Sequence, residues 1–147
     1  MYDTILIPYD GSDEARKGAE HGVELAAAVG ATVHVLYVIN LPGAPRALAL
    51  RDDEEEMRER YNDYADEILG EFSDTVTDQG IECVTARRTG TVSDEIIDYA
   101  EEEGMDAIVM GSSYRGKLGN LIGGTMDKVV RSSPVPVISH RMNVNDI

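Results

Sequence analysis

The sequence predicts an α/β domain: an open, parallel, five-stranded sheet of order 3-2-1-4-5 with helices on both faces. Three observations predict it. Strand-like and helix-like segments alternate along the whole chain, which calls for right-handed crossovers between parallel strands. The strand-like segments are continuously apolar rather than alternating, as in strands covered on both faces. The length, 147 residues without a linker, composition break or internal repeat, suits one domain, residues 1–147, around one full core.

The first strand is expected over residues 2–9, centred on Ile5-Leu6-Ile7. Asp10-Gly11-Ser12 is turn chemistry, and Ser12 is placed to cap a helix whose first turn holds Asp13 and Glu14. Ala15, Ala19, Val23, Ala26 and Ala27 recur at helical spacing before Gly30 ends that helix. Residues 32–39 are β-branched and form the second strand. Residues 40–50 hold two prolines and a glycine and read as a loop. A long charged helix is expected from about residue 52 to Gly80, with Met57, Tyr61, Tyr64, Ala65, Ile68, Leu69 and Phe72 as its apolar stripe. Residues 81–88 form the third strand. Thr91 and Asp94 have capping-box spacing at the start of a third helix, which buries Ile96, Ile97 and Ala100. Residues 107–110 form the fourth strand, residues 111–124 a glycine-rich connection, residues 125–131 the fourth helix, and residues 135–138 the last strand.

Composition narrows the function. Twenty-eight Asp and Glu stand against 13 Lys and Arg, a formal net charge of −15, which repels nucleic-acid phosphate. Acidity, scarce lysine (Lys17, Lys117 and Lys128) and a lean aromatic core suggest a salt-adapted, halophilic host, where ions screen the carboxylates. The single cysteine, Cys83, excludes an intramolecular disulfide and a cysteine-rich metal site. No apolar run is long enough to span a bilayer, and no basic n-region follows Met1, so a cytoplasmic protein is expected. His21, His34 and His140 lie far apart with no ligand spacing, and the acidic runs read as solvated helix faces, so no metal centre is expected. Ser112 and Ser113 lack the surroundings of a nucleophile elbow. The third strand ends Ala86-Arg87-Arg88, not on the acceptor aspartate of a receiver domain.

A doubly wound sheet binds ligands beyond the carboxyl ends of its strands, where the winding reverses. Pro8-Tyr9-Asp10-Gly11 ends the first strand and the glycine-rich connection from Gly111 ends the fourth. Gly124-Thr125 opens a helix, whose free N–H groups and dipole favour an anion, and Thr125 adds a hydroxyl. Neither a Walker A loop nor a dinucleotide fingerprint is present.

Residues 2–12, 35–39 and 109–137 resemble the universal stress protein family. The nucleotide-binding branch of that family carries the motif Gly-x2-Gly-x9-Gly-Ser/Thr. Gly111 matches its first glycine and Gly124-Thr125 its last pair, while the middle glycine falls on Tyr114. Tyr114 either obstructs the ribose-phosphate path, or the loop re-routes around Gly116 with Gly119 adding freedom. The resemblance implies a Rossmann-like fold of the adenine nucleotide alpha-hydrolase type and a nucleotide site. In it, Pro8, Val38 and Met110 line an adenine slot beside Tyr9, and Asp10 meets ribose or a magnesium ion on the phosphates. Gly111, Gly124, Thr125 and Met126 contact ribose and phosphate, with Arg115 or Lys117 as neutralising cations. It further implies ATP or a related adenine nucleotide as ligand, at most slow hydrolysis with no assigned catalytic residue, and a homodimer through Val135, Val137 and Ile138. The alternative is a dimeric interaction protein of the same family that binds no nucleotide.

Overall fold

The computed structural model describes residues 1–40, 51–112 and 124–141, with the side chains of 51–54 excepted. The element order is β1 (Thr4–Pro8), α1 (Asp13–Val29), β2 (Thr32–Ile39), α2 (Arg51–Thr77), β3 (Cys83–Thr89), α3 (Val92–Glu102), β4 (Ala107–Ser112), α4 (Thr125–Ser132) and β5 (Val137–Arg141). The strands form one sheet of order β3-β2-β1-β4-β5, and every neighbouring pair is parallel. The winding reverses between β1 and β4, and there the cleft opens. None of the described helices is long and apolar enough to cross a membrane.

Successive strand residues face opposite ways, and this explains the unbroken Ile5-Leu6-Ile7 run. Ile5 and Ile7 enter the layer beneath α1 and α2, with Val33, Val35 and Val109. Leu6 enters the layer beneath α3 and α4, with Leu36, Ile108, Ile96 and Val129. Ile5, Leu6 and Ile7 are wholly buried, each side chain contributing about 1.5–3 kcal/mol relative to exposure.

Helix α1 begins as its sequence implies. Ser12 is extended, and its hydroxyl accepts from the Ala15 N–H at 3.3 Å. The helix ends on Gly30, whose φ of 73° is a left-handed conformation that disfavours side chains. Ser12→Ala is expected to cost about 1 kcal/mol; chemical denaturation measures it, and an unchanged midpoint rules the cap out. The buried face of α1 adds Gly18 and Gly22 to Ala19, Val23 and Ala26, whereas Ala27 faces solvent. A Cβ on Gly22 would meet Ile7 Cδ1 at 2.7 Å.

Other expectations are corrected. Thr91 is the N-cap of α3, but its side chain makes no capping hydrogen bond. The stripe of α2 is buried only in its second half, at Ala65, Leu69, Phe72 and Val76. Met57, Tyr61 and Tyr64 are 49%, 39% and 51% exposed. The helix is long, 27 residues spanning about 40 Å against the 7 or 8 residues of the strands beneath, and Tyr64 lies at the sheet margin with its ring edge-on to Tyr37 of β2, centroids 6.3 Å apart. Strand β4 continues to Ser112, and β5 starts at Val137 rather than Val135. Pro136 has no N–H to give a ladder, although its carbonyl accepts from the Ile108 N–H at 2.9 Å.

Between β2, β3 and α3 lies a half-buried polar group. His34 Nδ1 and the Tyr99 hydroxyl are 2.8 Å apart, and Arg88 stacks on the Tyr99 ring while pairing with Glu102 at 2.8 Å. Burial holds the His34 imidazole below its ordinary value of 6.5, against the pull of Glu103 and Glu82. A depressed histidine stabilises the fold fully above the unfolded value of about 6.5, and that stability is lost as pH falls through the lower folded value. Between about pH 7.5 and 5 the wild type should therefore lose more stability than His34→Gln. Parallel losses in urea titrations of the two would remove His34 from the account.

Candidate functional site

A cleft of about 530 Å³ lies beyond the carboxyl ends of β1 and β4. Its base is apolar: Leu36 and Val38 from β2, Val92 and Ile96 from α3, Met110 from β4 and Met126 from α4. All six belong to, or pack against, the core layer under α3 and α4. A flat aromatic or heterocyclic group fits such a base through dispersion and burial.

The polar rim comes from strand ends and two helix starts. Asp10 follows β1, Ser12 and Glu14 open α1, and Gly124, Thr125 and Asp127 open α4. Gly124 is the N-cap of α4, extended at φ −67° and ψ 171°, with no side chain to cap the helix. Among the described residues no side chain caps the first N–H groups of α4, which can donate to an anion, and the helix dipole adds to the attraction. Its glycine is not demanded by backbone conformation, since any residue adopts that φ. What glycine supplies is the absence of a competing cap.

The nine residues assigned to a site from sequence all line this cleft: Pro8, Tyr9, Asp10, Val38, Met110, Gly111, Gly124, Thr125 and Met126. Three of them carry other duties. The Tyr9 ring is buried beneath α1 and α2, with its centroid 4.6 Å from that of Phe72. Asp10 Oδ1 accepts from the Ser12 N–H at 2.9 Å, which fixes the turn into α1. Gly111 is where β4 touches α1: a Cβ there would overlap the Glu14 carbonyl oxygen, and one on Gly18 would overlap the Gly111 backbone nitrogen. Tyr114, Arg115, Gly116, Lys117 and Gly119 lie outside the described residues.

Sequence reasoning missed Ser139 and Arg141, which line the cleft from β5. Arg141 pairs in register with Ser112, and the Ser112 and Ser139 hydroxyl oxygens are 3.4 Å apart. The strand order itself was the available signal, because it puts the end of β5 beside the end of β4. Arg141 is the one cation among the described lining residues, against the carboxylates Asp10, Glu14 and Asp127. That rim suits a ligand with few phosphates, or one that brings its own cation. No histidine is among the described lining residues, so Ser112 has no imidazole base beside it there. No group of three or more potential metal ligands occurs among the described residues.

Comparison with known proteins agrees with this architecture. A universal stress protein from Methanothermobacter thermautotrophicus is 32% identical over 142 residues, covering 93% of this chain and 94% of its own. The universal stress protein UspA from Lactobacillus plantarum superposes with a TM-score of 0.84 at 26% identity, covering 95% of this chain and 98% of that one. A universal stress protein from Archaeoglobus fulgidus, solved in complex with dAMP, has a TM-score of 0.65 at 26% identity, with 94% and 97% of the two chains covered. The model of the universal stress protein family matches residues 1–139, and the chain belongs to that family.

Proposed function

We propose that the protein is a stress-response regulatory module that holds an adenine nucleotide in this cleft, and that occupancy tunes its contacts with a partner or a second copy. One observation carries the reading: an apolar base and an uncapped helix start face the same cleft. Adenine takes the base formed by Val38, Met110 and their neighbours, and phosphate takes the first turn of α4. The Archaeoglobus fulgidus relative solved with dAMP supports a ligand of this chemical class. With Asp10, Glu14 and Asp127 on the rim, ATP would bind with magnesium, whereas AMP needs no added cation.

A second reading rests on β5, which among the described residues has β4 as its only neighbour and so leaves one edge unpaired. An edge strand is a template for pairing. A homodimer through residues 135–138 is proposed on that ground, with or without nucleotide. Val137 and Ile138 pack onto the two core layers, so the pairing would use the strand backbone more than these side chains.

The test is release of bound ligand. Protein purified in high salt is denatured, and the supernatant is analysed for nucleotides. An adenine nucleotide near one per chain is expected. Protein that is empty, and whose melting point does not rise with ATP and magnesium or with AMP, overturns the nucleotide reading and leaves the interaction module.

A further inference from the structure

The spacing of the histidines along the chain suggests no ligand set, yet the fold brings two of them together. His21 on α1 and His140 on β5 have ring centroids 5.4 Å apart, with planes tilted by 41°. His21 is exposed, so solvent ions reach it. His140 Nδ1 is buried and has no hydrogen-bond partner among the described residues. Native structures rarely leave such an atom unmet, and a neutral imidazole has one ring nitrogen free to ligate, so two adjacent imidazoles make a metal ligand pair. Two imidazoles on one tetrahedral metal, with Zn–N bonds of about 2.0–2.1 Å, place their ring centroids roughly 5 Å apart.

We propose that His21 and His140 form a binding site for a borderline transition-metal dication, of the Zn2+, Ni2+ or Cu2+ class. The site is distinct from the cleft. Along β5 the alternation of faces turns His140 with Ile138 toward α1, while Ser139 and Arg141 line the cleft. No third histidine, cysteine or carboxylate joins the pair among the described residues. With water in the remaining positions, Cu2+ binds more tightly than Zn2+ or Ni2+. The net charge of −15 concentrates dications near the surface. A bound ion would tie the edge strand β5 to α1 and steady the strand that presents Ser139 and Arg141.

The test is calorimetric titration of untagged, chelator-treated full-length protein with Cu2+ and with Zn2+. One equivalent of Cu2+ is expected, bound more tightly than Zn2+. His21→Ala and His140→Ala should each weaken it by more than about tenfold, and His34→Ala should leave it unchanged. Zinc should also shift the imidazole NMR signals of His21 and His140 but not of His34. Because His21 is exposed, His21→Ala and the NMR shifts decide the matter even if His140→Ala does not fold. The site is overturned if the wild type binds no Cu2+ at millimolar concentration, or if His21→Ala binds it as the wild type does.

Discussion

Gly111→Ala is expected to lower stability by about 3 kcal/mol and the melting temperature by roughly 10 °C. The added Cβ would overlap the Glu14 carbonyl oxygen of α1. That atom is backbone, so no side-chain rotation relieves the clash, and α1 as a whole must lift from β4. Gly18→Ala strikes the same contact from the other side, at the Gly111 backbone nitrogen, and should behave alike. Gly70 supplies the control. It lies inside α2, and among the described residues a Cβ there would meet nothing within 4 Å, so Gly70→Ala should stabilise by about 0.5–1 kcal/mol. Calorimetry in high-salt buffer compares the variants. A melting point for Gly111→Ala close to the wild type would mean that α1 and β4 do not approach in solution as described.

Gly124→Asp should separate stability from binding. The N-cap backbone of α4 accepts any residue, and a carboxylate there is placed to accept from the free N–H groups of the first turn. Capping and the helix dipole together should add up to about 1 kcal/mol of stability. The same carboxylate would stand where phosphate is proposed to bind and would repel it, so adenine-nucleotide affinity should fall by about 100-fold or more. Thermal shift without and with nucleotide reads both effects on one sample. A variant that keeps wild-type affinity would place phosphate elsewhere. A variant that loses stability would mean that the carboxylate does not cap the helix.

These two glycines show how differently a motif can be read. Both were legible as glycines of a phosphate-binding connection, and both line the cleft. The reason for glycine differs. At Gly124 it is the missing cap, a local matter of one helix start. At Gly111 it is the backbone of α1, a segment far away in the chain, and no pattern around residue 111 announces it. The same division runs through α2. Its helical period is plain from Met57 to Phe72, yet only the folded structure shows that Met57, Tyr61 and Tyr64 stay largely exposed, with Tyr64 resting edge-on against Tyr37 of β2. Arg141 reads as part of a polar tail until β5 is set beside β4 in register with Ser112. His21 and His140 read as unrelated until α1 packs along β5.

By itself, then, the sequence determined the alternating elements, the doubly wound sheet, the cap at Ser12, the left-handed stop at Gly30 and the two strand ends that flank the cleft. These follow from sterics and periodicity acting over a turn or two of chain, which neighbouring residues carry among themselves. Only the tertiary structure decided that Gly111 must lack a side chain, that Arg141 and Ser139 reach the cleft, and that two histidines meet. Each depends on which distant backbone comes to rest against which, and that is settled by burial of the whole apolar surface rather than by any local signal.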